Sequence, residues 1–199
     1  MPDDRIFPAD LSEAAWQLAE GLKRHETRIV FAESCTAGLA AAALAIVPGI
    51  SKWLCGSAVT YQEATKVRWV GISPGDLENF TAVSDQVARA MAVGVLKATP
   101  HADIAVSVTG HLGPCAPPQL DGVIFIGTAV RVHGSDKMNE SESLLGQQWT
   151  RKIGDSGLEG IDSGGPSRIV LNATERQPRQ VEAAIAVLSS ALALTEQQS

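Results

Sequence analysis

The chain has 199 residues, 45% of them hydrophobic, which suits one globular domain with a proper core rather than a fibrous or disordered protein. A formal net charge of -6 argues against a broad nucleic-acid surface, which needs clustered lysine and arginine to displace counterions. No apolar run approaches the ~18 residues of a membrane span, and three cysteines without Cys-x-x-Cys spacing fit reduced thiols better than a disulfide scaffold.

In chain order, Met1-Pro-Asp-Asp-Arg5 carries no secretory pattern, so a cytoplasmic protein is expected. Asp10-Leu-Ser-Glu13 reads as a variant capping box opening a helix, with Leu11, Ala15, Leu18 and Leu22 at helical spacing. Arg28 to Glu33 suits a buried strand, Ser34 to Thr36 a turn, and Ala37 to Val47 a helix stopped by Pro48-Gly49. Cys55 to Tyr61 reads as a second strand and Gln62 to Val70 as a short helix ended by Gly71. Ser84 caps a long helix with Val87, Met91 and Val95 on its apolar face. Asp103–Thr109 and Val123–Val132 are β-branched strands; a strand at Arg168–Leu171 and a helix at Gln180–Leu194 close the chain. Strands alternating with helices predict an α/β fold, a three-layer α/β/α sandwich around a mainly parallel or mixed sheet of about five strands. All of 1–199 reads as one domain, with residues 133 to 166 a polar insertion of no sustained period.

Three junctions could carry chemistry. Glu33-Ser34-Cys35-Thr36-Ala37-Gly38 follows a strand and opens a helix, where α/β sheets place ligand sites and where free N–H groups face an anion or oxyanion. A merely capped helix would look the same. Tyr61-Gln-Glu-Ala-Thr-Lys66 lies at the next strand-to-helix junction. A lysine near a serine can act as its base, provided burial depresses its pKa, although most helical lysines are solvated. Thr109-Gly110-His111-Leu112-Gly113-Pro114 ends the next strand, and its glycines would let backbone approach a ligand. His25, His101, His111 and His133 have no metal-type spacing, and there is no phosphate-binding Gly-x-x-x-x-Gly-Lys. Asp162-Ser163-Gly164-Gly165-Pro166 matches the serine signature of trypsin-like proteases, but it falls in the polar segment of an α/β chain and reads as coincidence.

Taken in order, Ala32-Glu-Ser-Cys-Thr-Ala-Gly38, Val47-Pro-Gly49, Val59-Thr-Tyr61 with Lys66, Val83-Ser84, Val108-Thr-Gly110 with Gly113-Pro114, and Gly122–Gly127 resemble the CinA C-terminal domain family, the nicotinamide-nucleotide amidases. The resemblance covers residues 10 to 132 and, more weakly, 167 to 194. It implies deamidation of nicotinamide mononucleotide to nicotinic acid mononucleotide and ammonia, with a small nucleotide substrate, no cofactor and no metal. By position it makes Ser34 the nucleophile and Tyr61 and Lys66 its activating partners. Glu33, Cys35, Thr36, Thr109, Gly110 and Gly113 would line the substrate site, and a homo-oligomer is expected. Neither a nucleic-acid nor a membrane partner is.

Two departures from the family pattern stand out. Ala37-Gly38 replaces a Gly-Gly turn, harmless where residue 37 is helical. Cys115-Ala-Pro-Pro-Gln119 replaces a glycine run, and its prolines lack N–H donors. The enzyme is therefore weighed against a catalytically silent relative that binds a nucleotide or a protein, and against an amidase for another amide.

Overall fold

The structure, a computed structural model, describes residues 6–131, 161–162 and 167–197. Among the described residues six α-helices, α1 (Ala9–Arg24), α2 (Leu39–Ala45), α3 (Glu63–Val70), α4 (Pro74–Phe80), α5 (Asp85–Ala98) and α6 (Arg176–Glu196), flank one sheet. The strands are β1 (Ile29–Glu33), β2 (Leu54–Val59), β3 (Ile104–Gly110), β4 (Val123–Arg131), β5 (Ile161–Asp162) and β6 (Ser167–Val170). Their order is β2-β1-β3-β4-β5, with β6 also paired to β4, so β5 and β6 share β4's outer edge and the sheet is five positions wide. It is mixed: β1 is parallel to both β2 and β3, whereas β4 runs antiparallel to β3, β5 and β6.

Alternation along β1 divides the core in two. Ile29 and Phe31 face α1, α2 and α6, packing with Leu11, Leu18, Leu44, Val187 and Leu188. Val30 and Ala32 face the other way, against Val70, Val87, Met91 and Val95 of α3 and α5. Both faces of β1 are thereby buried, which is why its sequence is continuously apolar up to Glu33. Gly94 lets α5 cross α3 closely, since a Cβ there would collide with the Val70 carbonyl.

Several boundaries move from the sequence reading. The first helix starts after Pro8 without a side-chain cap, so the capping box at Asp10–Glu13 does not form. Asp10 instead accepts from the Leu11 amide at 2.9 Å, and Glu13 from Gln17 one turn on. The second strand stops at Val59, leaving Tyr61 beyond it. The α4 helix, capped by Ser73 with Pro74 in its first turn, joins the elements read from sequence. Helix α6 begins at Arg176, a turn before Gln180, because Pro178 in a first turn forfeits no hydrogen bond. Ser84 caps α5 as expected, accepting from the Val87 amide at 3.3 Å. The 133–166 segment lies outside the described residues except for Ile161–Asp162.

Residue 37 is not helical. The α2 helix begins only at Leu39, and Ala37 and Gly38 have φ of 55° and 93°. Gly38 tolerates that region freely; alanine there is strained by about 1–2 kcal/mol. Ala37→Gly should therefore raise stability by up to about 1 kcal/mol, because glycine's greater unfolded-state entropy offsets part of the relief. A urea midpoint at or below that of the native protein would show the strain to be compensated.

Candidate functional site

The site begins with a buried carboxylate. Glu33, at the end of β1, is 0% exposed. Its Oε2 accepts from Thr36 Oγ1 at 2.8 Å, Gly38 N at 3.0 Å and Ala40 N at 3.2 Å. Its Oε1 accepts from Ala41 N and Ser57 Oγ, both at 3.1 Å. Five donors thus satisfy the charge, three of them amides at or near the positive end of α2. The Glu33 carboxylate and the Thr36 hydroxyl are spent on building the turn.

That turn presents Ser34 and Cys35. Ser34 N donates to the Val108 carbonyl at 3.0 Å and Ala37 N returns to the Ser34 carbonyl at 3.1 Å. Cys35 is buried, and desolvation pushes its thiol up to about 12 despite the nearby Lys66 charge. The thiolate needed for nucleophilic attack is therefore scarce at neutral pH.

Lys66 is 1% exposed, the reverse of an ordinary helical lysine. It lies in α3, one turn after the helix start, and its Nζ donates to the Thr60 carbonyl at 2.9 Å. Burial lowers its pKa from 10.5 to about 8, a shift opposed by Cys35 and Glu63. Tyr61 is 54% exposed, and its hydroxyl accepts from Arg176 Nη2 at 2.6 Å.

The third motif closes from the far side of the sheet. Thr109 is buried, and its hydroxyl donates to the Ala82 carbonyl at 2.7 Å. At Gly110 a Cβ would come within 2.7 Å of the Val123 carbonyl, so this glycine serves strand packing. Gly113 has a φ of 70°, and its carbonyl accepts from Arg176 Nη1. Beyond it the Cys115–Leu120 loop is held by Asp121, which forms a bidentate pair with Arg179 of α6 at 2.7 and 2.9 Å.

The start of α6 is what the sequence reading overlooked. Arg176 joins Tyr61 to Gly113, and Gln180 Nε2 donates to the Thr36 carbonyl at 3.0 Å, so one helical turn touches all three motifs. The available signal was the i, i+4 pair Arg176 and Gln180 opening a helix, since an exposed arginine is unfavourable at a helix N-terminus unless something else holds it. Among the described residues, no group of three His, Cys, Asp or Glu side chains could hold a metal ion, and no helix is long and apolar enough to cross a membrane.

Two stability measurements check this construction. Glu33→Gln turns an NH2 group toward amide donors and should cost roughly 2–4 kcal/mol by urea unfolding; a neutral result would mean the carboxylate is dispensable. Lys66→Met should raise stability at pH 7 by up to about 3 kcal/mol, the free-energy equivalent of lowering the ammonium pKa from 10.5 to about 8. The unfolded chain binds the Lys66 proton more tightly, so the penalty is full below pH 8 and fades as pH rises toward 10.5. The gain in Lys66→Met should shrink across that window, and a constant difference from pH 7 to 10 would contradict it.

Comparison with known proteins agrees with this architecture. The CinA C-terminal domain family model matches residues 11–152. A CinA-like protein of Myxococcus xanthus is 38% identical over 144 residues, 72% of this chain and 34% of that protein. The nicotinamide-nucleotide amidohydrolase PncC of Enterobacter agglomerans is 43% identical over 104 residues, 52% of this chain and 63% of that one. The chain spans about a third of the length of most of the curated relatives it matches. In structure it is similar to the competence/damage inducible protein CihA of Agrobacterium tumefaciens, with a TM-score of 0.76, 26% identity and coverage of 96% of this chain and 98% of that one. A competence or damage-inducible protein of Enterobacter asburiae shares the fold at a TM-score of 0.71 and 22% identity, covering 93% and 98%. With a buried lysine and a strand-to-helix serine turn at the end of its parallel strands, the chain belongs to the CinA C-terminal domain family.

Proposed function

We propose that this protein is a cytoplasmic serine-type amidohydrolase that deamidates nicotinamide mononucleotide to nicotinic acid mononucleotide and ammonia. The observation that carries the reading is Lys66, buried and lowered to about 8, beside the turn that holds Ser34. A lysine so placed is neutral often enough near physiological pH to accept a proton. Similarity to a relative named as a nicotinamide-nucleotide amidohydrolase supports the substrate class.

In this scheme Ser34 Oγ attacks the carboxamide carbon while its proton passes to Lys66. Backbone N–H groups of the Ser34 turn receive the developing oxyanion. Collapse of the tetrahedral intermediate expels ammonia as the Lys66 ammonium returns the proton to the leaving nitrogen. Water then cleaves the Ser34 ester. Arg176, exposed beside Tyr61 and Gly113, offers its remaining donors to the nucleotide phosphate. Glu33 and Thr36 act as scaffold in this reading, leaving substrate contact to Ser34, Tyr61, Arg176 and the Thr109–Gly113 strand end. Exposed Trp16, Trp69 and Phe80 support a homo-oligomer.

A silent, nucleotide-binding relative is the second reading. It is favoured by Pro117 and Pro118, which bring two residues without N–H donors into the loop after Gly113. Ammonia release over a panel of pyridine nucleotides and simple amides separates the two. The enzyme reading expects turnover of the mononucleotide that rises with pH through about 8, as Lys66 becomes neutral. Ser34→Ala should lose nearly all of it and Cys35→Ala little. Nucleotide binding without ammonia from any amide selects the silent reading, and loss in Cys35→Ala alone would move the nucleophile.

A further inference from the structure

The parallel register sets three hydroxyl residues abreast. Glu33 is paired with Val59 on one side and Val108 on the other. One residue further on, Thr60, Ser34 and Thr109 form a row across the C-terminal ends of β2, β1 and β3. The row is tied by Thr60 N to the Glu33 carbonyl at 2.8 Å and Ser34 N to the Val108 carbonyl at 3.0 Å. Alternation turns the row toward the α3 and α5 face, opposite to Val59, which packs beside Gly38, and to Val108 of the α6-side core. Lys66 approaches on that same face, from α3.

Within the row the hydroxyls are not equivalent. Thr109 donates to the Ala82 carbonyl. Thr60 is 0% exposed, and its Oγ1 is the one fully buried side-chain polar atom without a hydrogen-bond partner among the described residues. Leaving a buried hydroxyl unpaired costs about 1–3 kcal/mol, so such an atom calls for an explanation. Its surroundings supply one. The Thr60 carbonyl holds Lys66 Nζ on one side, and the neighbouring strand sets Ser34 beside it on the other, at the ~4.8 Å spacing of paired strands. At that spacing a rotation about χ1 brings two such hydroxyls into hydrogen-bond range.

We propose that the Thr60 hydroxyl is the proton relay between Ser34 and Lys66. As the Ser34 Oγ–carbon bond forms, the Ser34 O–H bond breaks and its proton moves to Thr60 Oγ1. Thr60's own proton passes at the same time to the lone pair of Lys66 Nζ, so the Ser34 hydroxyl gives up its proton, Thr60 remains a hydroxyl and one ammonium forms with no other reactant. Tyr61 is poorly suited to this task, being half-exposed and bound to Arg176. The inference rests on Ser34 as nucleophile, but not on which amide it cleaves.

The test uses a serine-directed fluorophosphonate, whose attachment to Ser34 reads nucleophile activation without reference to the natural substrate. Labelling rates would be followed by intact-protein mass on the native chain, T60V, T60A and T60S, with S34A as the blank. Hydroxyl-free T60V and T60A should label about a hundredfold more slowly, a typical general-base contribution. T60S should recover most of the rate, and T60V should melt at or above the native temperature because its unpaired hydroxyl is gone. A structural role for Thr60 would instead lower stability and rate together. Native-rate labelling in T60V or T60A overturns the relay, as does a native protein that labels no faster than S34A. Native labelling without hydrolysis of nicotinamide mononucleotide, with T60V still slow, refutes only the substrate and supports the relay.

Discussion

Everything at the working end of this sheet depends on the Glu33 carboxylate being buried and fully bonded. A charge at 0% exposure is tolerable only if its lone pairs are met, and five donors from the turn, α2 and β2 meet them. The arrangement works in both directions. The α2 helix is just seven residues of leucine and alanine with no capping side chain at Gly38, so a carboxylate from the preceding strand supplies what its own sequence lacks. The strand, for its part, ends where that helix collects its charge. Between the two fixed ends, Ser34 to Gly38 has little freedom left, and the left-handed Ala37 is the cost of closing so short a turn.

The second dependence is on register. Because β2, β1 and β3 are parallel and aligned, residues one step past Val59, Glu33 and Val108 come level without any direct side-chain bond between them. A slip of one residue in either pairing would turn a threonine of the row to the opposite face. The antiparallel strands contribute differently. The β4 strand returns beside β3 and, with β6 on its outer edge, backs the Gly110 end of the site, while the Asp121–Arg179 pair ties the intervening loop to α6. The catalytic proposal therefore draws on the parallel half of the sheet, and the loop after Gly113 on the antiparallel half.

Much of this was legible in the sequence. Apolar β1 and β3, the Ser84 cap and the α5 stripe all express local patterns, and tertiary packing reinforced them. The Ser34, Tyr61 and Lys66 motifs were found at strand-to-helix junctions for the same reason. What stayed hidden was set by partners distant in the chain. Nothing local distinguishes Ala37 in a left-handed turn from Ala37 in a helix; the difference is Glu33 drawing in the Gly38, Ala40 and Ala41 amides. Arg176 looks like any exposed helix-start arginine until Tyr61 and Gly113 are brought to it. Thr60 gave no signal, since an unpaired hydroxyl is a property of a packed interior and not of a sequence.

One environment then decides the chemistry by acting oppositely on two neighbours. Burial disfavours charge, so it lowers the lysine and raises the cysteine. An exposed site would hold Lys66 as an ammonium and let Cys35 ionise more readily than any serine. Here a working fraction of the lysine is neutral near pH 7 and rises through about pH 8, while the thiol keeps its proton. Their mutual attraction opposes both shifts, because an ammonium beside a thiolate would stabilise each, yet desolvation remains the larger effect on both groups. Near pH 7 the thiol is therefore neutral while most of Lys66 is still an ammonium, and the neutral amine becomes the major form only above about pH 8. A neutral amine cannot make a serine ionise at rest; it can only receive the proton as attack proceeds. Hence the proton's path matters as well as the resting charge, and the unpaired buried hydroxyl of the residue whose carbonyl holds that amine is where the path is to be sought.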